Sequence, residues 1–410
     1  MRMLFNSLAS FLTRRHKQIG YCVFCDSKLD PGSAEHVFPS SIGGRLVTRN
    51  AICLPCNNHF AATSGDQVDG AVAQAFITPR CALRIWSGRG QPPPTIARAG
   101  SMADGTEYDL GPGLVPLIRA AKVPKTLVAG ESQIVAKDAN DAQRVIDILE
   151  KRGFKIEQGT IKKVREKAPI THLRLNFDAT KLCRSLSKTA LTAACVLYGN
   201  DTVRKNADKR LLVAAKEEDP DIKDYAGWDY RNPWPTEIKM TPHKRSRDLA
   251  SSGFEHAVYF ADVSGMWVAY ISLFGDFRFS VRLGSASRLR PSGLAVNPRG
   301  AQYSRFECTF RPPGSFLSHH KETLAGQFPE VSKALTNSIN AVMSRWKSEA
   351  RSELDDQRDQ ELAAAVASAG DDPIEREEAI GRVLAKWLTV EHGKRWEEEL
   401  DSELESNDTI

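Results

Sequence analysis

Residues 21–60 read YCVFCDSKLDPGSAEHVFPSSIGGRLVTRNAICLPCNNHF, and the reading of this stretch decides the fold. Two Cys-x-x-Cys pairs, Cys22 with Cys25 and Cys53 with Cys56, flank a Glu35-His36 dipeptide. A Cys-x-x-Cys turn can aim both sulfurs at one ion, and two such turns complete a tetrahedral four-thiolate zinc site. A closed thiolate shell leaves no open position, so this Zn2+ is structural. In so short a segment it supplies on the order of 10 kcal/mol of folding free energy. The alternative is two unrelated reduced pairs, but half of the chain's eight cysteines fall in the pattern. The other four, Cys81, Cys183, Cys195 and Cys308, sit in mostly apolar surroundings and read as buried thiols.

The chemistry lies between the pairs. Glu35 and Asn57 offer oxygen atoms, which suit a hard divalent cation such as Mg2+. His36, with a reference pKa near ~6.5, can take a proton from water at neutral pH. A metal to stabilise charge and a base to activate water are the two parts a phosphodiesterase needs. A Glu-His dipeptide alone carries little. Inside a double Cys-x-x-Cys frame, and followed by Gly43-Gly44-Arg45, it carries much more.

From Tyr21 to about Asp69 the chain resembles the HNH, or ββα-metal, nuclease family, in the branch with a four-cysteine zinc clip. In that family a β-hairpin and a following helix grip one catalytic metal. The resemblance implies Glu35 and Asn57 as ligands of a catalytic Mg2+ or Mn2+, with His36 as general base on the attacking water. It makes Asn50 the residue that braces the loop and orients His36. Asn57 stands where the common form has a third His, and an amide oxygen can still bind the ion. The implied reaction is hydrolysis of phosphodiester bonds in DNA, by nicking or cutting. The implied context is a bacterial anti-phage system or a mobile element. The alternative is a silent zinc-stapled module that binds nucleic acid without cleaving it.

Nearby residues read less sharply. Arg45 can touch a phosphate or simply be solvated. On a helix His59 turns away from Asn57, so it is not expected on the same ion. Asp69 either closes the family motif or starts a helix.

The totals exclude little. At 410 residues the chain holds two to four domains, with 41% apolar and 26% charged residues, an ordinary globular composition. Cysteines used as thiolate ligands point to a reducing, cytoplasmic compartment. No apolar run approaches the ~20 residues needed to cross a bilayer. The formal charge is +5, with basic residues clustered.

Before the zinc stretch, Leu4, Phe5, Leu8, Phe11 and Leu12 fall on one helical face and Arg14, Arg15, His16 and Lys17 follow. This reads as an amphipathic helix docked on the body, with an organelle transit peptide as the alternative. After it, a helix from Gln67 to Phe76 is expected to stop at Pro79. The glycines and prolines of residues 88–113 read as a connector with some extended structure. Ile134 to Ala136 reads as a strand. Ala142, Val145, Ile146 and Leu149 mark a helix starting at Asn140 or Asp141 and stopping at Gly153. Lys162 and Lys163, in a basic run from Lys151 to Lys167, are candidate phosphate contacts. Leu173, Leu175 and Phe177 alternate as a strand. A helix from Ala179 to Tyr198 ends at Gly199, and its Lys181, Arg184 and Lys188 either line a groove or belong to an amphipathic core helix.

Trp228, Tyr230 and Trp234 can stack on bases or pack a loop. A second basic cluster is His243 to Arg247. His256–Val263 and Met266–Phe274 read as strands joined through Ser264-Gly265, with a Gly275-Asp276 hairpin loop and a third strand from Phe277 to Leu283. A helix carrying Val331, Leu335, Val342, Met343 and Trp346 follows, then two acidic helices divided at Asp371-Asp372-Pro373. The acidic end can meet a protein partner or fold over a basic surface.

The fold class is therefore α+β: an N-terminal ββα-metal zinc module followed by α/β, antiparallel β and C-terminal helical regions. The expected division is an amphipathic helix at 1–20, the nuclease module at 21–80, a connector at 81–125, an α/β region at 126–215, an antiparallel region at 216–315 and a helical acidic region at 316–410. The expected partners are DNA and, through the C-terminal region, a protein, with no membrane.

Overall fold

The computed structural model describes residues 20–30, 32–61, 67–102, 106–121, 123, 134, 136–156, 178–229, 241–242, 253–285, 289–300, 302–307, 328–370 and 372–387. The chain divides into two compact units, Met1–Val342 and Met343–Ile410. The expected amphipathic helix at 1–19, Lys162 and Lys163, the strand from Leu173 to Phe177, the cluster from His243 to Arg247, Cys308 and the acidic end lie outside the described residues.

Mixed helix and antiparallel sheet make the first unit. β1 (Glu35–His36) and β2 (Val47–Thr48) form a short antiparallel hairpin, followed by α1 (Leu54–Phe60), α2 (Val68–Ala75) and α3 (Ile77–Ala82). Pro79 does not end a helix as expected. It lies in the first turn of α3, where its missing N–H would have had no helical partner. The residues read as a connector form a three-stranded antiparallel sheet, β3 (Ile96–Ser101), β4 (Glu107–Gly111) and β5 (Val115–Ile118). The ladder between β3 and β4 slips between Ile96 and Gly100, which breaks the alternation that marks a strand.

α4 (Ala139–Lys151) is capped by Asp138, whose carboxylate accepts from the Asp141 N–H. Gly153 adopts φ +87° just beyond it. Ile134 and Ala136 are not in a strand. α5 (Ala179–Tyr198) runs as expected, capped by the Asp178 carboxylate. Its residues from Leu182 to Cys195 are all buried, as befits a helix surrounded by protein. Arg184 and Lys188 therefore line no open groove. α6 (Asn200–Asn206) and α7 (Lys209–Lys216) follow.

The core is a seven-stranded antiparallel sheet. Its strands are β6 (Ala226–Trp228), β7 (Thr241–Pro242), β8 (His256–Val263), β9 (Met266–Leu273), β10 (Phe277–Ser285), β11 (Ser292–Val296) and β12 (Tyr303–Glu307), in the order β6-β10-β9-β8-β11-β12-β7. Ser264 and Gly265 close the β8–β9 hairpin with φ of 54° and 83°, matching the primed turns that suit strand twist. The β9–β10 loop is longer than expected. Leu273 pairs with Phe277, so Phe274 joins Gly275 and Asp276 in the turn. Phe274 adopts φ 51° and is fully buried, its ring 5.7 Å from that of Phe76 in the chain after α2.

α5 packs against both α2 and the sheet. α8 (Phe328–Ser368) follows the sheet, and Ser338 donates to the Asp276 carbonyl at 2.9 Å. In the second unit a further helix, α9, spans 373–387, and Lys386 and the Trp387 ring N–H both reach Glu361. Among the described residues no helix is long and apolar enough to cross a membrane.

Candidate active site

The four-cysteine clip is built from two turns. The Cys22 N–H donates to the Ser27 carbonyl at 2.7 Å, and Asp26 takes φ 56° to let the first turn close. The second turn runs into α1, whose first residue follows Cys53 and whose second is Pro55. The Val23 N–H donates to the Ala51 carbonyl at 3.0 Å, and Ser33 Oγ to the Ile52 carbonyl at 2.8 Å, which joins the two turns. The four sulfurs of Cys22, Cys25, Cys53 and Cys56 all lie within 4.8 Å of one another. The Cys56 thiol, hydrogen-bonded to Cys22, draws the Cys22 pKa down to about 5, while burial pushes Cys53 up to about 11. Four converged thiols, one already inclined to ionise, fit a structural zinc ion. Cys81, Cys183 and Cys195 are buried free thiols, as expected.

The hairpin and α1 present the second set of residues. Glu35 pairs with Thr48 and His36 with Val47. Asn57, one residue after the last zinc cysteine, donates from Nδ2 to the Ala34 carbonyl at 3.3 Å, which sets its amide beside β1. Asn50 is exposed. Its N–H donates to Thr48 Oγ1 at 3.2 Å and its carbonyl accepts from Asn200 Nδ2 at 3.0 Å. Arg45 is partly buried, and its Nε has no hydrogen-bond partner among the described residues. His59 turns away as expected, its Nε2 lying 2.7 Å from the Lys216 carbonyl.

His36 Nδ1 is buried without a hydrogen-bond partner. Burial first, then the nearby Arg89 charge, lowers the His36 pKa to about 4, while the Gly44 carbonyl works the other way. The ring is therefore neutral at physiological pH and holds a lone pair. Arg89 arrives on the loop after α3. The Gly88 N–H donates to the Ser40 carbonyl at 2.8 Å, and a Cβ on Gly88 would lie 1.8 Å from the Gly44 oxygen and 3.3 Å from His36 Cε1. Only glycine permits that approach. It brings the exposed Arg89 close enough for its charge to act on both Glu35 and His36.

Glu35 is 4% exposed, and burial raises its pKa against the pull of Lys188. Lys188 Nζ lies 2.8 Å from Glu35 Oε1 and 2.9 Å from Asp69 Oδ2. Burial lowers the Lys188 pKa, but the two carboxylates outweigh it and the ammonium keeps its charge. Burial, with Asp69 adding to it, lifts Glu35, and the two carboxylates lift Lys188, so both shifts point upward. Asp69 Oδ1 is buried with no partner. Oxygen donors from Glu35, Asn57 and Asp69 suit a hard divalent ion that keeps several waters. The four thiols are the one group of three or more converging His, Cys, Asp or Glu ligand atoms among the described residues. Glu35 and Asp69 share the Lys188 ammonium, and the Asn57 amide reaches the carbonyl of Ala34, the residue before Glu35.

Sequence reasoning placed Lys188 in a groove or a core helix without seeing its pairing with Glu35 and Asp69, and it passed over Arg89. The signal for Lys188 was a lysine amid the apolar residues of a helix rich in Ala and Leu. The signal for Arg89 was an arginine between two glycines, Gly88 and Gly90.

Residues 22–76 match the model of a family described as HNH endonuclease. No curated protein and no solved structure matches the chain.

Proposed function

We propose, on the premise that residues 22–76 are similar to HNH endonucleases, that this protein is a Mg2+- or Mn2+-dependent endonuclease that hydrolyses phosphodiester bonds in DNA. The observation that carries the reading is the neutral, partly buried His36 with an unpartnered Nδ1, next to the buried Glu35 carboxylate. Glu35 and Asn57 would hold the divalent ion, which would stabilise charge on the scissile phosphate. His36 would take the proton of the attacking water at Nδ1. Asn50 would keep the loop in place through its backbone, and Arg45 and Arg89 would meet phosphate oxygens.

The test is plasmid DNA incubated with Mg2+ and either the wild-type chain or His36→Ala, with zinc content measured on both. The expected result is nicked or linear product from the wild type alone, at equal zinc. Equal cleavage by both proteins would overturn the assignment.

One observation favours a second reading, a module that binds nucleic acid without cutting it: the Lys188 ammonium already contacts Glu35. That reading expects a gel shift that His36→Ala leaves unchanged and no metal-dependent product.

A further inference from the structure

Lys188 is delivered to the candidate centre from α5, far outside the segment that resembles HNH nucleases. It is 3% exposed. Burying an ammonium is costly unless anions meet it. Here Glu35 and Asp69 meet it directly, and the Phe60 ring face lies 5.3 Å from Nζ. Lys188 thus stands on a lone pair of Glu35, the same group that offers itself to a divalent ion. Asp69 keeps a second, unpartnered oxygen, so it can serve another cation while still holding Lys188.

We propose that Lys188 is the centre's built-in counter-ion and competes with the divalent metal for Glu35. Metal entry displaces the ammonium from Glu35 Oε1, while Asp69 retains it at Oδ2. The inference rests on the nuclease reading for the ligand role of Glu35. Lys188 is a positioning residue: it keeps the buried Glu35 and the half-buried Asp69 carboxylates converged, and it sets how strongly the site takes a metal. Two like charges this close repel, and the single ammonium between them offsets that repulsion. A divalent ion offsets it more fully, so removing the lysine leaves a site with greater demand for the metal.

The test uses the full chain with its zinc in place. Free Mn2+ is followed by electron paramagnetic resonance during titration of wild type, Lys188→Met and Lys188→Arg. Lys188→Met is expected to bind Mn2+ at least about tenfold more tightly, equivalent to roughly 1.4 kcal/mol. Lys188→Arg, which keeps the charge, is expected to stay near wild type. Unchanged or weaker binding by Lys188→Met overturns the proposal. Lysine footprinting of the wild type by reductive methylation needs no variant. Labelling of Lys188 is expected to rise when Mn2+ is added, and an unchanged rate overturns the proposal.

Plasmid cleavage measured on the same preparations separates the two readings. Tighter Mn2+ binding by Lys188→Met without cleavage by any variant supports the counter-ion role and overturns the nuclease. Cleavage by wild type with unaltered Mn2+ affinity in Lys188→Met does the reverse.

Discussion

His256 Nε2 lies 2.9 Å from the carbonyl oxygen of Ile42, a residue 214 positions earlier in the chain. The other ring nitrogen, Nδ1, accepts from the Phe274 N–H at 3.1 Å. Nε2 must therefore carry the hydrogen and donate, and Nδ1 must stay bare. The ring is fully buried, and burial holds its pKa near about 4. Between that value and the ordinary ~6.5 the unfolded chain binds a proton that the folded chain refuses, so stability rises with pH across the window. Acidification from pH 7 to 4 should remove on the order of 3 kcal/mol through this one group. His256→Gln should lower Tm at pH 7 and show a shallower fall on acidification. The difference between the two melting curves isolates His256 from Glu35 and His36, which titrate alike in both proteins.

Zinc should be stoichiometric and structural. Cys25→Ser or Cys53→Ser should lose the metal, and a strong chelator should unfold the region around the clip in the wild type. Metal analysis with thermal melts would check this, and an unchanged Tm after zinc loss would refute it. The expected loss is several kcal/mol, since metal binding and folding are one equilibrium in such sites.

Two glycines in one loop should behave differently. A Cβ on Gly88 has no room beneath the Gly44 oxygen, whereas Gly90, at φ +81°, has nothing within 4 Å of its Cβ position. Gly90→Ala should cost only the backbone strain of a left-handed residue, about 1 kcal/mol. Gly88→Ala should shift the loop off His36, with a larger fall in Tm and a loss of any DNA cleavage. Parallel melts and cleavage assays read both.

Arg89 should be felt in salt. If it meets one phosphate, Arg89→Ala should weaken DNA binding at all sequences alike. It should also reduce the slope of log K against log salt by about one unit. Fluorescence anisotropy from low to moderate salt would measure it, and an unaltered slope would remove Arg89 from the interface.

Arg184 should be structural. It donates to the Ala215 and Lys216 carbonyls at the end of α7, the second of which also faces His59 of α1. Arg184→Met should cost roughly 3 kcal/mol, because the buried Ala215 carbonyl and the half-buried Lys216 carbonyl lose a charged donor. Urea denaturation would show it as a lower midpoint with zinc still bound.

The four-cysteine clip and the Glu35-His36 hairpin were legible because their signal is local. Four cysteines at fixed spacing need no knowledge of distant chain. α5 was legible for the same reason: an Ala- and Leu-rich run between Asp178 and Gly199 shows both its ends. The sheet of β3 to β5 was not, since its ladder slips and its turns are rich in glycine. Phe274 was misplaced because its conformation is set by packing against Phe76 and His256, not by its neighbours. Lys188 was unreadable in role. A lysine's sequence context says that it has a charge, not which acids lie across the core. Its partner Asp69 is 119 residues away.

Phe76, just past α2, sets its ring edge-on to Phe277 at 5.0 Å and to Phe279 at 6.4 Å, both on β10. α6 also holds the first cysteine turn, with Arg204 paired to Asp26 and stacked over Tyr21. This small cassette is therefore upholstered into its host rather than hung from it. A graft exchanging residues 20–80 for a foreign equivalent would arrive without the aromatic that fills the hollow on the sheet. It would also lack the acid that Arg204 grasps, and would need both rebuilt before it could sit.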